Sequence, residues 1–160
     1  MRVLVTGHEG YLGSVLVPRF QAAGHEVVGL DTGLFADCVI GPVPEPVPAL
    51  RVDLRDVTEQ HLKEVAPDAV VHLGALCNDP LGNLDPNLTY DVNHAATVQL
   101  ARAAKAAGAQ RFLFSSSCSL YGAGTASGTG PITQSANRPV SRPTTSWPAA
   151  RKRGTRTLPR

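Results

Sequence analysis

Val3-Leu4-Val5-Thr6-Gly7-His8-Glu9-Gly10-Tyr11-Leu12-Gly13 decides the fold of this chain, because glycines spaced at i, i+3 and i+6 stand directly behind a short apolar run. Arg2 to Thr6 is a β-branched and leucine run with the length of a strand buried on both faces, and Tyr11 to Ala23 carries helical spacing. The glycines therefore fall where a strand turns into a helix. Without side chains there, the backbone can turn tightly and approach a phosphate, while free amides and the positive end of the helix dipole face the anion. Such a turn forms a cradle for the pyrophosphate of a dinucleotide. Glycine triplets alone are weak signals, so the flanking elements carry the specificity.

The second apolar run, Glu26-Val27-Val28-Gly29-Leu30-Asp31, ends on a carboxylate 18 positions after Gly13. That is close to the offset of roughly 20 residues at which an acid binds the adenosine ribose hydroxyls. Asp at a strand end also serves as an ordinary turn residue; following the glycine cradle, we read Asp31 as the ribose acid. A carboxylate there favours NAD, since it would repel a 2′-phosphate, and no Arg or Lys follows before Arg51.

A chain of 160 residues can bury one sizeable core but is short for a nucleotide-binding domain with a separate substrate domain. No stretch reaches the roughly 18 apolar residues of a membrane span, and the amino terminus enters the first strand without a signal-peptide pattern. A cytoplasmic protein with no membrane partner is expected. Cys38, Cys77 and Cys118 are odd in number and far apart, which suggests reduced thiols and neither a disulfide framework nor a zinc knuckle. Up to Asp91 there are 13 acids and five bases, and after it ten bases and no acid. The run Arg151-Lys152-Arg153-Gly154-Thr155-Arg156 looks like a nucleic-acid arm, but no aromatic stacking platform or groove-reading motif accompanies it, so no nucleic-acid partner is expected. His8, His25, His61, His72 and His94 show no paired ligand spacing, which leaves no metal site; each reads as a surface histidine or one that orients a neighbour. There is no nucleophile elbow and no Gly-Lys-Ser/Thr phosphate loop either.

Strand and helix signals alternate as far as Tyr121, the pattern of a parallel sheet covered on both faces. Residues 26–31 form the second strand. The proline-rich stretch Gly41 to Pro48 is a loop, Ala49 to Asp53 a short third strand, and Thr58 to Ala66 a brief helix that stops at Pro67. Ala69 to Leu73, with no charge inside, is a central fourth strand. Asp85-Pro86 reads as an N-cap followed by proline at the first helical position. Leu88, Val92, Ala96, Leu100, Ala103 and Ala107 then make one apolar stripe, and Gly108 is placed to end the helix in a left-handed conformation. Arg111 to Ser115 is the fifth strand. Pro18 should bend the first helix.

With these motifs in order, residues 1 to about 122 resemble the extended short-chain dehydrogenase/reductase superfamily, specifically its NAD-dependent nucleotide-sugar epimerases and dehydratases. The resemblance implies an α/β fold: a Rossmann-type doubly wound parallel sheet of strand order 3-2-1-4-5 with NAD across the carboxyl ends of the strands. The segment Thr6 to Gly13 is similar to the family's glycine motif, which implies cofactor contacts from Gly7, Gly10, Tyr11, Leu12 and Gly13. Val52-Asp53-Leu54 matches the segment in which Asp53 and Leu54 would contact adenine. His72-Leu73-Gly74-Ala75 resembles the fourth-strand motif that lines the nicotinamide ribose with Leu73, Gly74 and Ala75. Asn93 occupies the place of the family's helix asparagine. Phe114-Ser115-Ser116-Ser117-Cys118-Ser119-Leu120-Tyr121-Gly122 is close to the fifth-strand signature, which adds Ser115 to the cofactor site.

In that family a tyrosinate held by a nearby lysine removes a hydroxyl proton while a hydride passes from the same sugar carbon to NAD. The lysine's charge lowers the tyrosine pKa, which lets a phenolic base work near neutral pH. Ser117 matches the assisting serine of this chemistry, although a small residue at a strand end can also be purely structural. Cys118 and Ser119 stand where sugar 4,6-dehydratases carry an Asp-Glu pair, which favours 4-epimerase-like or simple reductase-like chemistry over dehydration. A nucleotide-sugar is the implied substrate, with Asn78 and Asp79 at the edge of its pocket. A homodimer is the family's usual assembly, yet the alanine-rich stripe of 86–107 could equally pack within one chain.

The family's Tyr-x-x-x-Lys does not follow. The tyrosines are Tyr11, Tyr90 and Tyr121, with Val15, His94 and Thr125 four positions on, and Tyr121 belongs to the strand signature. From Ala123 to Arg160 the chain is mainly Ala, Gly, Thr, Ser, Pro and Arg with one aromatic, Trp147, and no acid; this composition reads as a disordered basic tail. We therefore expect an NAD-binding domain over 1–122, a low-complexity tail over 123–160, no substrate domain and incomplete catalytic machinery. A shifted reading frame in GC-rich DNA is the explanation we favour. The others are a truncated protein that binds NAD without catalysis and a natural tail that orders on a partner.

Overall fold

The structure, a computed structural model, describes residues 1–36, 38, 45–77 and 84–116. Its elements in chain order are β1 (Arg2–Thr6), α1 (Tyr11–Ala22), β2 (Glu26–Asp31), β3 (Ala49–Arg51), a 3-10 turn (Leu54–Asp56), α2 (Glu59–Val65), β4 (Ala69–His72), α3 (Pro86–Tyr90), a π-helical segment (Asp91–Ala96), α4 (Thr97–Ala106) and β5 (Arg111–Phe114). The strands form one parallel sheet in the order β3-β2-β1-β4-β5, as the family resemblance implies. Met1–Phe114 lies in one compact unit; a second begins at Ser115, of which Ser115 and Ser116 are described.

Alternation along β1 builds a core on each face of the sheet. Leu4 joins Leu30 and Val70 beneath Leu62 and Val65 of α2 and Leu100, Ala103 and Ala104 of α4. Val3 and Val5 point the other way, with Val27 and Val71, against Val17 and Phe20 of α1. Both faces of the central strands are thus removed from water, which accounts for their unbroken apolar sequence. Of the two packings left open for the alanine stripe, the structure shows the intrachain one: Ala96 and Ala103 are buried in the core together with Ala104, where small side chains let the helix sit close to the sheet.

Element ends follow local chemistry. The Asp85 side chain accepts from Leu88 N–H and caps α3, with Pro86 behind it. Thr58 and His61 form a reciprocal capping box on α2. Gly108 ends α4 at φ +86°, and helix α1 continues through Pro18 to Ala22 without a break. Two expectations need correction. The third, fourth and fifth strands stop at Arg51, His72 and Phe114: after β3, Asp53 turns the chain into the 3-10 turn, and after β4 the Leu73 and Gly74 N–H groups turn to the Thr6 side chain. The long helix after Asp85 is not uniformly α: it widens to π geometry between Asp91 and Ala96.

Ala66 ends α2 at φ 46°, ψ 55°, the one non-glycine residue with positive φ among those described. A Cβ in that region costs on the order of 1–2 kcal/mol, partly offset in glycine by its freer unfolded chain. Ala66→Gly should therefore raise stability by about 0.5–1 kcal/mol, read as a higher urea midpoint at unchanged slope. A lower midpoint would show that the left-handed turn is not strained.

Candidate functional site

The carboxyl ends of the strands form a row. In register, Thr6 stands beside Leu30 and His72, Asp31 beside Arg51, and His72 beside Phe114. The loop from Gly7 to Gly10 and the start of α1 follow directly from the middle of that row.

Two glycines of the loop cannot be replaced without moving backbone. Gly7 has φ +67°, and a Cβ there would meet Gly74 N at 2.9 Å. A Cβ on Gly13 would lie 2.3 Å from the Gly7 carbonyl oxygen and 2.4 Å from that of His8. The loop is thus folded back onto the first turn of α1, with Gly10 N–H donating to Gly7 O at 3.1 Å. Gly10 is the N-cap, no side chain caps the helix, and its first turn holds no acid. A helix start of this kind leaves amide donors and the positive dipole end to an outside anion. Tyr11 and Leu12 lie on this first turn, 88% and 51% exposed.

Asp31 braces the loop from β2. Its Oδ2 accepts from Glu9 N–H at 3.1 Å and its Oδ1 from Gly33 N–H at 2.9 Å. Asp53 lies on the next connection, where its carboxylate accepts from the backbone and guanidinium of Arg55 at 2.8–3.0 Å. The hydrogen bond from Arg55 holds the Asp53 carboxyl below its usual range. Leu54 is buried and its Cδ1 comes within 2.9 Å of where a Gly74 Cβ would stand, so Leu54 and Gly74 meet under the loop.

A buried polar chain ties the β4 end to the helix above it. Thr97 Oγ1 donates to Asn93 O at 3.0 Å, so it accepts the His72 Nε2 proton at 2.8 Å. His72 Nδ1 is then the acceptor for the Thr6 hydroxyl at 2.7 Å, and Thr6 Oγ1 accepts the backbone N–H groups of Leu73 and Gly74 at 3.2 and 3.1 Å. Burial lowers the His72 pKa from 6.5 to about 4, which keeps the ring neutral and this donor order intact near neutral pH. Asn93 adds a clasp: its Oδ1 accepts from Leu76 N–H and its Nδ2 donates to Leu76 O, both at 2.8 Å. Leu73, Gly74 and Ala75 are therefore held from both ends. The π-helical widening coincides with this clasp, since Asn93 turns its side chain to Leu76 and gives its carbonyl to Thr97.

The structure brings Gly7, Gly10, Gly13, Asp31, Leu73, Gly74 and Asn93 to the carboxyl end of the sheet, with Asp53 and Leu54 on the adjoining turn. Ser115 follows β5 and is exposed. Ser117, Asn78, Asp79, Cys118, Ser119, Tyr121 and the tail lie outside the described residues. Sequence reasoning missed four contributors. His72 is a core residue, 1% exposed and not a surface histidine; His8 is likewise buried; Thr6 and Thr97 complete the network. The one available signal was a histidine and a threonine at strand ends amid apolar residues. No group of three or more His, Cys, Asp or Glu suited to a metal occurs among the described residues. Nor does any helix there reach the length and apolarity of a membrane span. A surface depression of about 520 Å³ bordered by Glu59, Val98 and Arg102 lies on the helical face and shares no residue with this constellation.

Residues 3–158 match the NAD dependent epimerase/dehydratase family, a match that runs past residue 122, where the sequence motifs end. A UDP-glucose 4-epimerase of Klebsiella pneumoniae is 36% identical over 129 residues, covering 76% of this chain and 93% of that protein. The UDP-glucose 4-epimerase of Mycolicibacterium smegmatis is 36% identical over 127 residues, covering 76% of this chain and 41% of that one. The chain thus spans about two fifths of the latter relative's length. Among solved structures, the Thermus thermophilus UDP-glucose 4-epimerase in complex with NAD has a TM-score of 0.60 at 36% identity, over 70% of this chain and 36% of that one. The UDP-glucose 4-epimerase from Stenotrophomonas maltophila, with bound NAD and formylated UDP-arabinopyranose, has a TM-score of 0.64 at 32% identity, over 76% and 38%.

Proposed function

This chain belongs to the NAD dependent epimerase/dehydratase family, and we propose that residues 1–122 bind NAD as the cofactor-holding part of a nucleotide-sugar 4-epimerase. The observation that carries this reading is the start of α1: uncapped, free of acids, and held by Gly7 and Gly13 at positions where a Cβ would strike backbone. Nothing in a structural turn requires a helix start left so bare beside a braced carboxylate; a pyrophosphate and a ribose do.

In this reading Gly7, Gly10, Tyr11, Leu12 and Gly13 surround the pyrophosphate and Asp31 takes the ribose hydroxyls. Asp53 and Leu54 flank the adenine; Leu73, Gly74, Ala75, Asn93 and Ser115 line the nicotinamide side. Bound NAD would accept a hydride from the sugar carbon and return it. Ser117 would hydrogen-bond the reacting hydroxyl. The likeness to UDP-glucose 4-epimerases supports a nucleotide-sugar substrate; a cytoplasmic location and a homodimer are proposed with it for the parent enzyme.

The second reading is a non-catalytic NAD-binding module, and a sequence fact favours it: no Tyr-x-x-x-Lys occurs in the chain. A shifted reading frame behind residues 123–160 would reconcile the two, which resequencing the coding DNA from Ser115 onward tests. For the protein itself, titration of the full chain with NADH, followed by nicotinamide fluorescence, should show saturable binding of one cofactor per chain. No saturable binding sinks both readings. Binding without interconversion of UDP-glucose and UDP-galactose, with the coding DNA standing as written, selects the module.

A further inference from the structure

Two carboxylates and one guanidinium meet where β2 ends, and one residue, Glu9, touches both of the others. Its backbone N–H donates to Asp31 Oδ2. Its side chain takes Arg51 in a two-pronged ion pair, Nη1 to Oε2 at 2.5 Å and Nη2 to Oε1 at 2.6 Å. Arg51 is the register partner of Asp31 across β2 and β3, so its guanidinium would otherwise stand free beside the ribose acid. His8 fills the space between the anions from the glycine loop. Its side chain is 7% exposed, with Nε2 3.8 Å from Glu9 and Nδ1 3.9 Å from Asp31, and its ring packs where Gly29 leaves room on β2.

We propose that Glu9, by holding Arg51, is a determinant of the preference for NAD over its 2′-phosphorylated form; this rests on the NAD-binding reading above. A 2′-phosphate carries nearly two negative charges near neutral pH and is best met by the planar fork of an arginine. The arginine is present at the end of β3, but both of its outer nitrogens are committed to Glu9. Glu9, Asp31 and Arg51 together present one net negative charge to that phosphate. Asp31 repels it directly, and Glu9 withholds the cation that would offset the repulsion. Glu9 thus adds to the selectivity set by the ribose acid.

The test uses the full chain and compares dissociation constants for NADH and NADPH. Glu9→Gln should raise the affinity for NADPH relative to NADH at least about tenfold, and the gain should shrink as salt rises. The double variant Glu9→Gln/Arg51→Gln should lose it. Arg51→Gln alone should give no gain and should turn the ratio further against NADPH, because the Glu9 carboxylate is then left without its partner. A ratio unchanged in Glu9→Gln, or a gain that survives loss of Arg51, overturns the proposal while wild-type NADH binding stands. A wild-type chain that binds neither dinucleotide removes the NAD reading itself, a separate result.

Discussion

Gly13→Ala should raise the dissociation constant for NADH at least about a hundredfold, equivalent to about 2.7 kcal/mol. The added methyl would need to sit 2.3 Å from the Gly7 carbonyl oxygen, 2.4 Å from the His8 carbonyl oxygen and 2.5 Å from the His8 carbonyl carbon. All three are backbone atoms of the loop, so no side-chain rotation relieves the clash. The loop must lift off the first turn of α1, and that moves the Glu9 N–H away from Asp31 as well as reshaping the amides meant for the pyrophosphate. Gly7 has little room to follow, since a Cβ there would already meet Gly74 N at 2.9 Å.

A loss of binding could follow from unfolding alone, so the variant needs a matched control. Gly24 also has positive φ, +77°, but a Cβ there meets nothing within 4 Å. Gly24→Ala should therefore cost about 0.5–1 kcal/mol of stability, backbone strain less the unfolded-chain offset, and leave NADH binding in place. Circular dichroism and urea unfolding on both variants separate stability from site geometry. A folded Gly13→Ala that binds NADH as wild type does would remove the glycine loop from the cofactor site.

The contrast between Gly13 and Gly24 also shows what was readable in the chain. The succession of strands and helices, the position of the glycine turn and the Asp85 cap follow from short-range patterns: apolar runs of strand length, a helical stripe, and turn residues at fixed offsets; the strand order came with the family resemblance. The exposure of β5 follows less directly. Leu113 and Phe114 are 52% and 54% exposed because, among the described residues, β5 pairs with β4 alone. What could not be read are polar contacts between distant segments. Glu9 and Arg51 are 42 residues apart, and Thr6 and His72 66, with nothing in the intervening sequence to join them. Only the parallel register, which sets Thr6 beside His72 and Asp31 beside Arg51, creates those pairs. The π-helical segment escaped for a related reason. Its residues keep helical spacing, and the distortion accompanies Asn93 reaching Leu76, 17 positions earlier.

The buried His72 network makes stability acid-sensitive in a window far narrower than general acid unfolding. The folded pKa is about 4, below the unfolded value of 6.5. Above pH 6.5 the ring is neutral in both states, and the full stability is present. As pH falls through the interval, the unfolded chain takes up a proton that the folded chain refuses, and stability declines. Below about 4 both states are protonated and this loss stops growing. The gap corresponds to a loss of about 3 kcal/mol across the window. Protonation would also force Nδ1 to become a donor toward Thr6, whose hydroxyl would have to turn and abandon its present direction. Asp53, held below 3.8 by Arg55, contributes its own acid loss only at lower pH, so the two can be told apart. Urea midpoints measured from about pH 7.5 to 4 should fall steeply in the wild type. His72→Gln can both donate and accept but does not titrate, and it should start lower and fall much less. Parallel declines in the two proteins would place the acid sensitivity elsewhere and leave His72 an ordinary core residue.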